Sequence, residues 1–358
     1  MSAKRSKEIA APAQSSSCDS SPDLARLIDL VSAFPRQTIV VVGDFVVDEF
    51  VSGEISRVSR EAPVLILRHR KTELRPGGGA NAVNNLVDLG ARVRPVGAVG
   101  DDAGGRDLLD YFRRKGVETA GIIRVAGWTT PTKSRFFAGW THTAEQQVLR
   151  VDREPASVLS RKRQQIVAEK AGQRVRGASA CLISDYGFGA ATPELAAKLR
   201  SPIITLDSRY SLGDYRKAGI TAATPNEAEL EAFFHTRIGN DIRRLEALGK
   251  KMLTQFGLGA LLVTRGKDGM ALFERGNASR RIPIRGTDEA VDVTGAGDTV
   301  IAVFTLALAA GASYLEAAHI ANYAGGIVVM KRRTATVTRA ELESALRADI
   351  TTAEGNPA

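Results

Sequence analysis

The chain has 358 residues, 44% hydrophobic and 25% charged, which is the balance of an ordinary soluble globular protein of two domains or one large α/β domain. Its 49 Lys and Arg exceed 40 Asp and Glu, and the formal net charge of +9 suits anionic small molecules such as nucleotides and sugar phosphates. The basic residues are scattered and only 6% of residues are aromatic, which argues against a nucleic-acid partner. No apolar run is long enough for a membrane span and no secretory h-region is present. Cys18 and Cys181 lie far apart, and His69, His142, His235 and His319 have no metal-ligand spacing. A reducing, cytoplasmic setting is therefore expected.

In chain order, residues 1–22 are Ser- and Ala-rich with scattered charge and read as a disordered tail, with a second short tail at 351–358. Leu24, Leu27, Ile28 and Val31 at helical spacing predict a helix from Asp23 to Ala33 that Pro35 closes. Thr38 to Val42 is a β-branched run expected to be a buried parallel strand. It is followed by Asp44 and Asp48, and acids just past the carboxyl end of such a strand lie where α/β sheets bind ligands. Both are candidate acceptors for substrate hydroxyls, and turn acids on the plainer reading.

Val64 to Leu67 gives way to alternating charge, and Thr132 to Phe137 and Gln147 to Val151 have the same half-exposed character. These stretches predict a small sheet, within about residues 50–75 and 125–152, standing off the main domain as a lid. Lys133, Arg135 and Arg150 on it could reach an anionic substrate or form a solvated face. Gly77, Gly78 and Gly79 precede a helix from Asn81 to Leu89, where Asn81 and Asn85 share a face.

Further strands are expected at Val93–Val99, Ala180–Ser184, Ile203–Leu206, Ala260–Thr264 and Met270–Phe273. The helices between them are about Gly105–Lys115, Ser160–Val175, Pro193–Leu199, Glu227–Phe234 and Asp241–Phe256. This alternation predicts βαβ units in a mostly parallel sheet. The strand ends carry Ser184-Asp185-Tyr186, Asp207, Asn226 to Glu229, and Thr264. Asn226 and Glu229 have capping-box spacing, and the same pair could hold the waters of Mg²⁺; both readings can hold together.

Asp292-Val293-Thr294-Gly295-Ala296-Gly297-Asp298 opens an apolar run from Val300 to Ala310. A helix start there offers unpaired N–H groups and a positive dipole end, and its glycines let an anion approach. Asp298 would lie beside that anion, placed to take a proton from an attacking nucleophile, a combination that suggests phosphoryl transfer. The segment is not a Walker A loop: the Gly266-Lys267 pair lacks the upstream glycine and is followed by Asp268. It is not a dinucleotide fingerprint either, because the third glycine would fall at Val300.

With the Gly77–Gly79 block and Asn81, the Asn226-x-x-Glu229 element and the Asp292–Asp298 segment, the chain resembles the ribokinase (PfkB-type) sugar kinases from about Gln37 to Leu346. Within them it is most similar to the heptose-7-phosphate kinases of lipopolysaccharide precursor synthesis. That similarity is carried by Ser56 to Val64, Arg75 to Gly78, Gln146 to Asp152 and Ser184 to Gly187. Those kinases are often fused to a nucleotidyltransferase; this chain shows no HxGH-type motif and resembles the stand-alone form.

The resemblance implies a ribokinase-like α/β domain over residues 23–350, ATP and Mg²⁺ as cofactors, and a homodimer through the lid. It implies Asp298 as catalytic base and the amides of Gly295, Ala296, Gly297 and Asp298 as anion hole, with Thr294 beside them. Thr264 and Gly266 would sit by the ATP phosphates and Asn322 near adenine. Asn226 and Glu229 would order Mg²⁺ through water. Asp44, Asp48, Gly77, Gly78, Asn81, Lys133, Arg135, Asp185 and Arg209 would line the sugar-phosphate site. Two departures fall at the substrate end: Asp207-Ser208-Arg209 stands where Asp-Pro-Lys is usual, and Phe188 stands where a lysine is usual. A different sugar, sugar phosphate or nucleoside is the alternative substrate. An inactive scaffold is the remaining reading, and the intact Asp298 and its glycines speak against it.

Overall fold

The computed structural model describes residues 22–140, 145–286 and 290–354. Its strands are β1 (Thr38–Val58), β2 (Leu65–Gly78), β3 (Arg92–Gly100), β4 (Ile122–Val125), β5 (Thr132–Gly139), β6 (Gln146–Arg153), β7 (Ala180–Asp185), β8 (Ile204–Ser208), β9 (Ala222–Ala223), β10 (Ala260–Thr264), β11 (Met270–Glu274) and β12 (Arg280–Ile282). Its helices are α1 (Leu24–Ser32), α2 (Gly79–Asp88), α3 (Ala103–Arg114), α4 (Arg161–Arg174), α5 (Pro193–Lys198), α6 (Glu227–Phe234), α7 (Ile242–Phe256), α8 (Ala296–Ala309), α9 (Tyr314–Val328) and α10 (Arg339–Glu354).

A parallel sheet runs in the order β4-β3-β1-β7-β8-β9-β10, and antiparallel β11 and β12 extend its edge. Ile39 to Val42 and Cys181 to Ile183 are fully buried, as continuous apolar strands are when helices cover both faces. One face packs on α1, α2, α8, α9 and α10, the other on α4 to α7. Every residue of α8 from Asp298 to Leu308 is buried, which is why that helix lacks a polar stripe. From β1 the chain builds β3 and β4 on one side and β7 onward on the other. That reversal of strand order opens a crevice at the carboxyl ends of β1 and β7.

A second sheet, β2-β1-β5-β6, stands beyond this crevice, and β6 is exposed along its whole length. It grows out of β1 itself. The expected stop at Val42 is therefore corrected: β1 pairs with β3 and β7 as far as Asp44 and Gly43, then with β2 and β5 through Val58 and Glu54. A Gly-Asp pair reads locally as a turn, but neighbours on both sides keep the backbone bonded, so Asp44 and Asp48 lie within a strand. Strands β4, β9 and β12 have no counterpart in the sequence reading, being too short to show a period. The expected tail at 351–358 is corrected at its start, because α10 continues to Glu354. The expected N-terminal tail lies outside the described residues except for Pro22.

Candidate active site

The amino end of α8 faces the crevice. Gly295 caps it at φ +79°, in the left-handed region, and a Cβ there would lie 2.5 Å from Asn81 Nδ2. Thr299 N–H makes the first α-helical bond, to Gly295 O at 3.1 Å, and Ala296 N–H donates back to Val293 O at 3.2 Å. The amides of Gly297 and Asp298 remain as first-turn donors. Gly297 meets open space where a Cβ would project. The expected contribution of Ala296 to the anion hole is thus corrected, since its amide is used within the turn.

Asp298 is buried, with Oδ2 accepting from Asn81 Nδ2 at 3.0 Å and Oδ1 accepting from the Tyr186 hydroxyl at 2.7 Å. Burial pushes its carboxyl up to about 6, against the pull of those two donors. Asn81 is itself fixed by Asn85, which donates to its Oδ1 and its carbonyl. The spacing that put the two asparagines on one helix face is here a hydrogen-bonded ladder under the Asp298 carboxylate.

A cavity of about 440 Å³ opens over this carboxylate, lined among others by Asp48, Gly78, Lys133, Arg135, Asp207, Arg209, Thr224, Asn226, Glu229, Thr264, Thr294 and Gly297. On the second-sheet side, Asp48 accepts from Arg135 at 2.5 Å and from Thr334 at 2.7 Å. Gly77 lies so close that a Cβ would come 2.7 Å from Asp48 Oδ2. Lys133 places its ammonium 5.0 Å from the Tyr186 ring centroid, and burial pulls its pKa below the usual lysine range. Arg209 is exposed beside Tyr210. Arg135 is spoken for by Asp48, which leaves Lys133 and Arg209 as the cations facing the cavity. Arg150 pairs with Asp152 on β6.

On the opposite wall the capping box forms: Asn226 Oδ1 accepts from Glu229 N–H at 2.8 Å and Glu229 Oε2 from Asn226 N–H at 2.9 Å. Burial pushes the Glu229 carboxyl up, and burial with the nearby Asp298 charge pushes Asp207 well above its usual range. Acidic side chains gathered along the wall of a polar cavity suit a divalent cation. The described residues hold no cluster of three or more acidic, His or Cys side chains able to ligate a metal directly. This donor set fits Mg²⁺, which keeps several waters and uses few protein ligands.

Four expected site residues have other tasks or lie elsewhere. Asp44 is buried and accepts from the backbone N–H groups of Tyr186, Phe188 and Ala190 at 2.8 to 2.9 Å, so it anchors the turn after β7 instead of meeting a hydroxyl. Burial and the charge of Asp185 push it up to about 7. Asp185 is likewise consumed, by Ser208, Ser211, Tyr215 and the amide of Gly187. Asn322 is buried and donates to Pro283 O at 2.8 Å, holding that backbone against α9. Gly266, at φ +54° in a short turn after β10, lies outside this cavity's lining. Tyr186, Asp207, Thr224 and Thr334 join the site without having been singled out as site residues. Tyr186 and Asp207 stood at strand ends, which was the available signal; Thr334 arrives from a loop that nothing in the local sequence ties to β1.

A parallel α/β sheet thus carries, at its switch point, a helix start with unpaired first-turn amides beside a buried carboxylate held by two donors, an arrangement suited to phosphoryl transfer. Residues 36–340 match the pfkB family of carbohydrate kinases, and the chain belongs to that family. Among curated relatives, the bifunctional protein HldE of Desulfatibacillum aliphaticivorans is 39% identical over 88% of this chain and 64% of that protein. HldE of Mesorhizobium japonicum is 39% identical over 88% of this chain and 63% of that protein. The chain thus spans less than two thirds of these relatives' length. Among solved structures, Arabidopsis thaliana ribokinase complexed with ribose and ATP aligns with TM-score 0.66 and 20% identity, over 87% of this chain and 98% of that one. Escherichia coli phosphofructokinase-2 in complex with potassium aligns with TM-score 0.69 and 17% identity, over 87% of this chain and 98% of that one. These last two bear on the fold alone.

Proposed function

We propose that the chain phosphorylates D-glycero-β-D-manno-heptose 7-phosphate at its anomeric 1-hydroxyl, giving the 1,7-bisphosphate of the ADP-heptose route to lipopolysaccharide. The observation that carries this reading is one cavity with a buried base at one end and the cations Lys133 and Arg209 facing it. A neutral sugar needs no such cations; a sugar phosphate does. The heptose-kinase sequence stretches and the HldE relatives support the same choice.

In the reaction, Asp298 accepts the proton of the 1-hydroxyl as that oxygen bonds to the γ-phosphorus. The bond from phosphorus to the bridging oxygen breaks, and ADP leaves with that electron pair. The proton then passes from Asp298 to solvent. The amides of Gly297 and Asp298 receive negative charge on the transferring group, the main term in this chemistry. Asn226, Glu229 and Asp207 would hold hydrated Mg²⁺, which when bound neutralises phosphate charge. Thr264 lines the cavity beside Asn226, to which β10 bridges, in a position suited to the ATP phosphates. The second sheet acts as a lid that excludes water as a competing acceptor.

The chain works in the cytoplasm as a homodimer joined through the second sheet. The exposed Val148, Leu149 and Val151 of β6 support that contact, at 45%, 55% and 41% exposure. No helix among the described residues is long and apolar enough to cross a membrane. The departures at Phe188 and Arg209 favour the second reading, a different sugar, sugar phosphate or nucleoside. Coupled ADP release with ATP and Mg²⁺ decides, screening the heptose phosphate against fructose phosphates, ribose and adenosine. Turnover with the heptose phosphate alone supports the proposal, and turnover only with another acceptor overturns the substrate.

A further inference from the structure

Tyr186 is held from three directions. Its backbone N–H and those of Phe188 and Ala190 are tied to Asp44 on β1, which fixes the turn after β7 at the switch point. One ring edge lies against Gly78, at φ +55°, where a Cβ would come 3.1 Å from Cε2. The Lys133 ammonium lies over the ring at 5.0 Å. The phenol O–H then donates to Asp298 Oδ1 at 2.7 Å, while Asn81 donates to Oδ2 at 3.0 Å.

We propose that Tyr186 is a positioning residue for phosphoryl transfer: with Asn81 it fixes the Asp298 carboxylate by one donor on each oxygen, leaving the remaining lone pairs for the acceptor's proton. The inference rests on the kinase reading above. A carboxylate offers about four lone-pair directions, so two donors orient it without saturating it. Tyr186 keeps its own proton throughout, because burial and the Asp298 charge push its phenol well above the usual tyrosine range. The proton of the sugar hydroxyl goes to Asp298 alone. A donor to the charged form also opposes the burial that would otherwise keep the carboxyl protonated. The rival account makes Tyr186 a space-filler between Gly78 and Lys133, a role phenylalanine would serve equally.

The test compares wild type with Tyr186→Phe, which keeps the ring, its packing and the Lys133 contact. The Asp298 carboxyl is followed by NMR in protein carrying ¹³C-labelled aspartate, with Asp298→Asn assigning the signal. Removing one donor is expected to raise that midpoint by about one pH unit. The acid limb of kcat/KM should move up by the same amount. Plateau kcat should fall about tenfold with KM for ATP unchanged. An unmoved midpoint and limb overturn the proposal. If Tyr186→Phe does not fold, protein grown with 3-fluorotyrosine, a more acidic donor, should show the Asp298 midpoint lowered, and an unchanged midpoint overturns it equally. A shifted midpoint in a protein that phosphorylates no acceptor overturns the kinase reading together with the positioning role. An active kinase whose limb ignores Tyr186→Phe overturns the positioning role alone.

Discussion

Asp298 sits in a burial that disfavours its charge, and as the proposed base it must be ionised to act. With its carboxyl at about 6, kcat/KM should be level above neutrality and fall tenfold per pH unit below about 6. The same shift has a stability sign. The native state holds the proton to higher pH than the unfolded chain, so this group's contribution is full in acid and is lost as pH rises through about 6. The melting temperature of Asp298→Asn should therefore gain on wild type between about pH 4 and 7, while its kcat falls about a thousandfold. An active Asp298→Asn enzyme would remove Asp298 as the base. Arg135→Met would strand Asp48 in a buried site with Thr334 as its remaining donor. Breaking such a pair from one side should cost about 3 kcal/mol in denaturant unfolding and raise KM for the sugar.

At the scale of elements, two helix starts separate structural from chemical roles. In α8, Gly295→Ala forces a left-handed φ and a contact at 2.5 Å with Asn81, and should lower stability by about 1–2 kcal/mol. Gly297→Ala meets no atom within 4 Å, so it should fold normally while weakening ATP turnover, because the methyl occupies the anion's approach. Equal loss of stability in both would show that Gly297 is a packing residue. In α6, Glu229→Gln preserves the capping box, which Gln completes as well as Glu, but removes a charge from the cavity. Its melting temperature should match wild type within about 1 °C of the small effect expected for a kept cap, while the Mg²⁺ needed for half-maximal rate rises about tenfold. An unchanged Mg²⁺ requirement would leave the residue as a cap only.

At the scale of the whole molecule, the net charge of +9 favours the approach of anionic substrates. Raising salt from about 50 to 500 mM should raise KM for a sugar phosphate several-fold and leave KM for a neutral sugar nearly flat. Sedimentation tests the proposed assembly: a dimer that Leu149→Glu on exposed β6 converts to monomer is expected, and a wild-type monomer would discard that contact.

Much of this architecture was legible in the chain. Continuous apolar strands, amphipathic helices and the Gly-Ala-Gly-Asp helix start are properties of neighbouring residues, and neighbouring residues suffice to read them. They determined the parallel α/β class, the helix start at Gly295 with the Asp298 carboxyl beside it, and the Asn226–Glu229 capping pair. The tertiary structure alone decided which acids remain for chemistry. Asp44, Asp48, Asp185 and Asp298 look alike as letters. Asp44 and Asp185 are consumed by the turn and side chains folded over β7, whereas Asp298 meets Asn81 across 217 positions and Tyr186 across 112. A carboxyl's acidity and reach depend on the donors brought to it from afar and on the water taken away, and neither is written beside it in the chain.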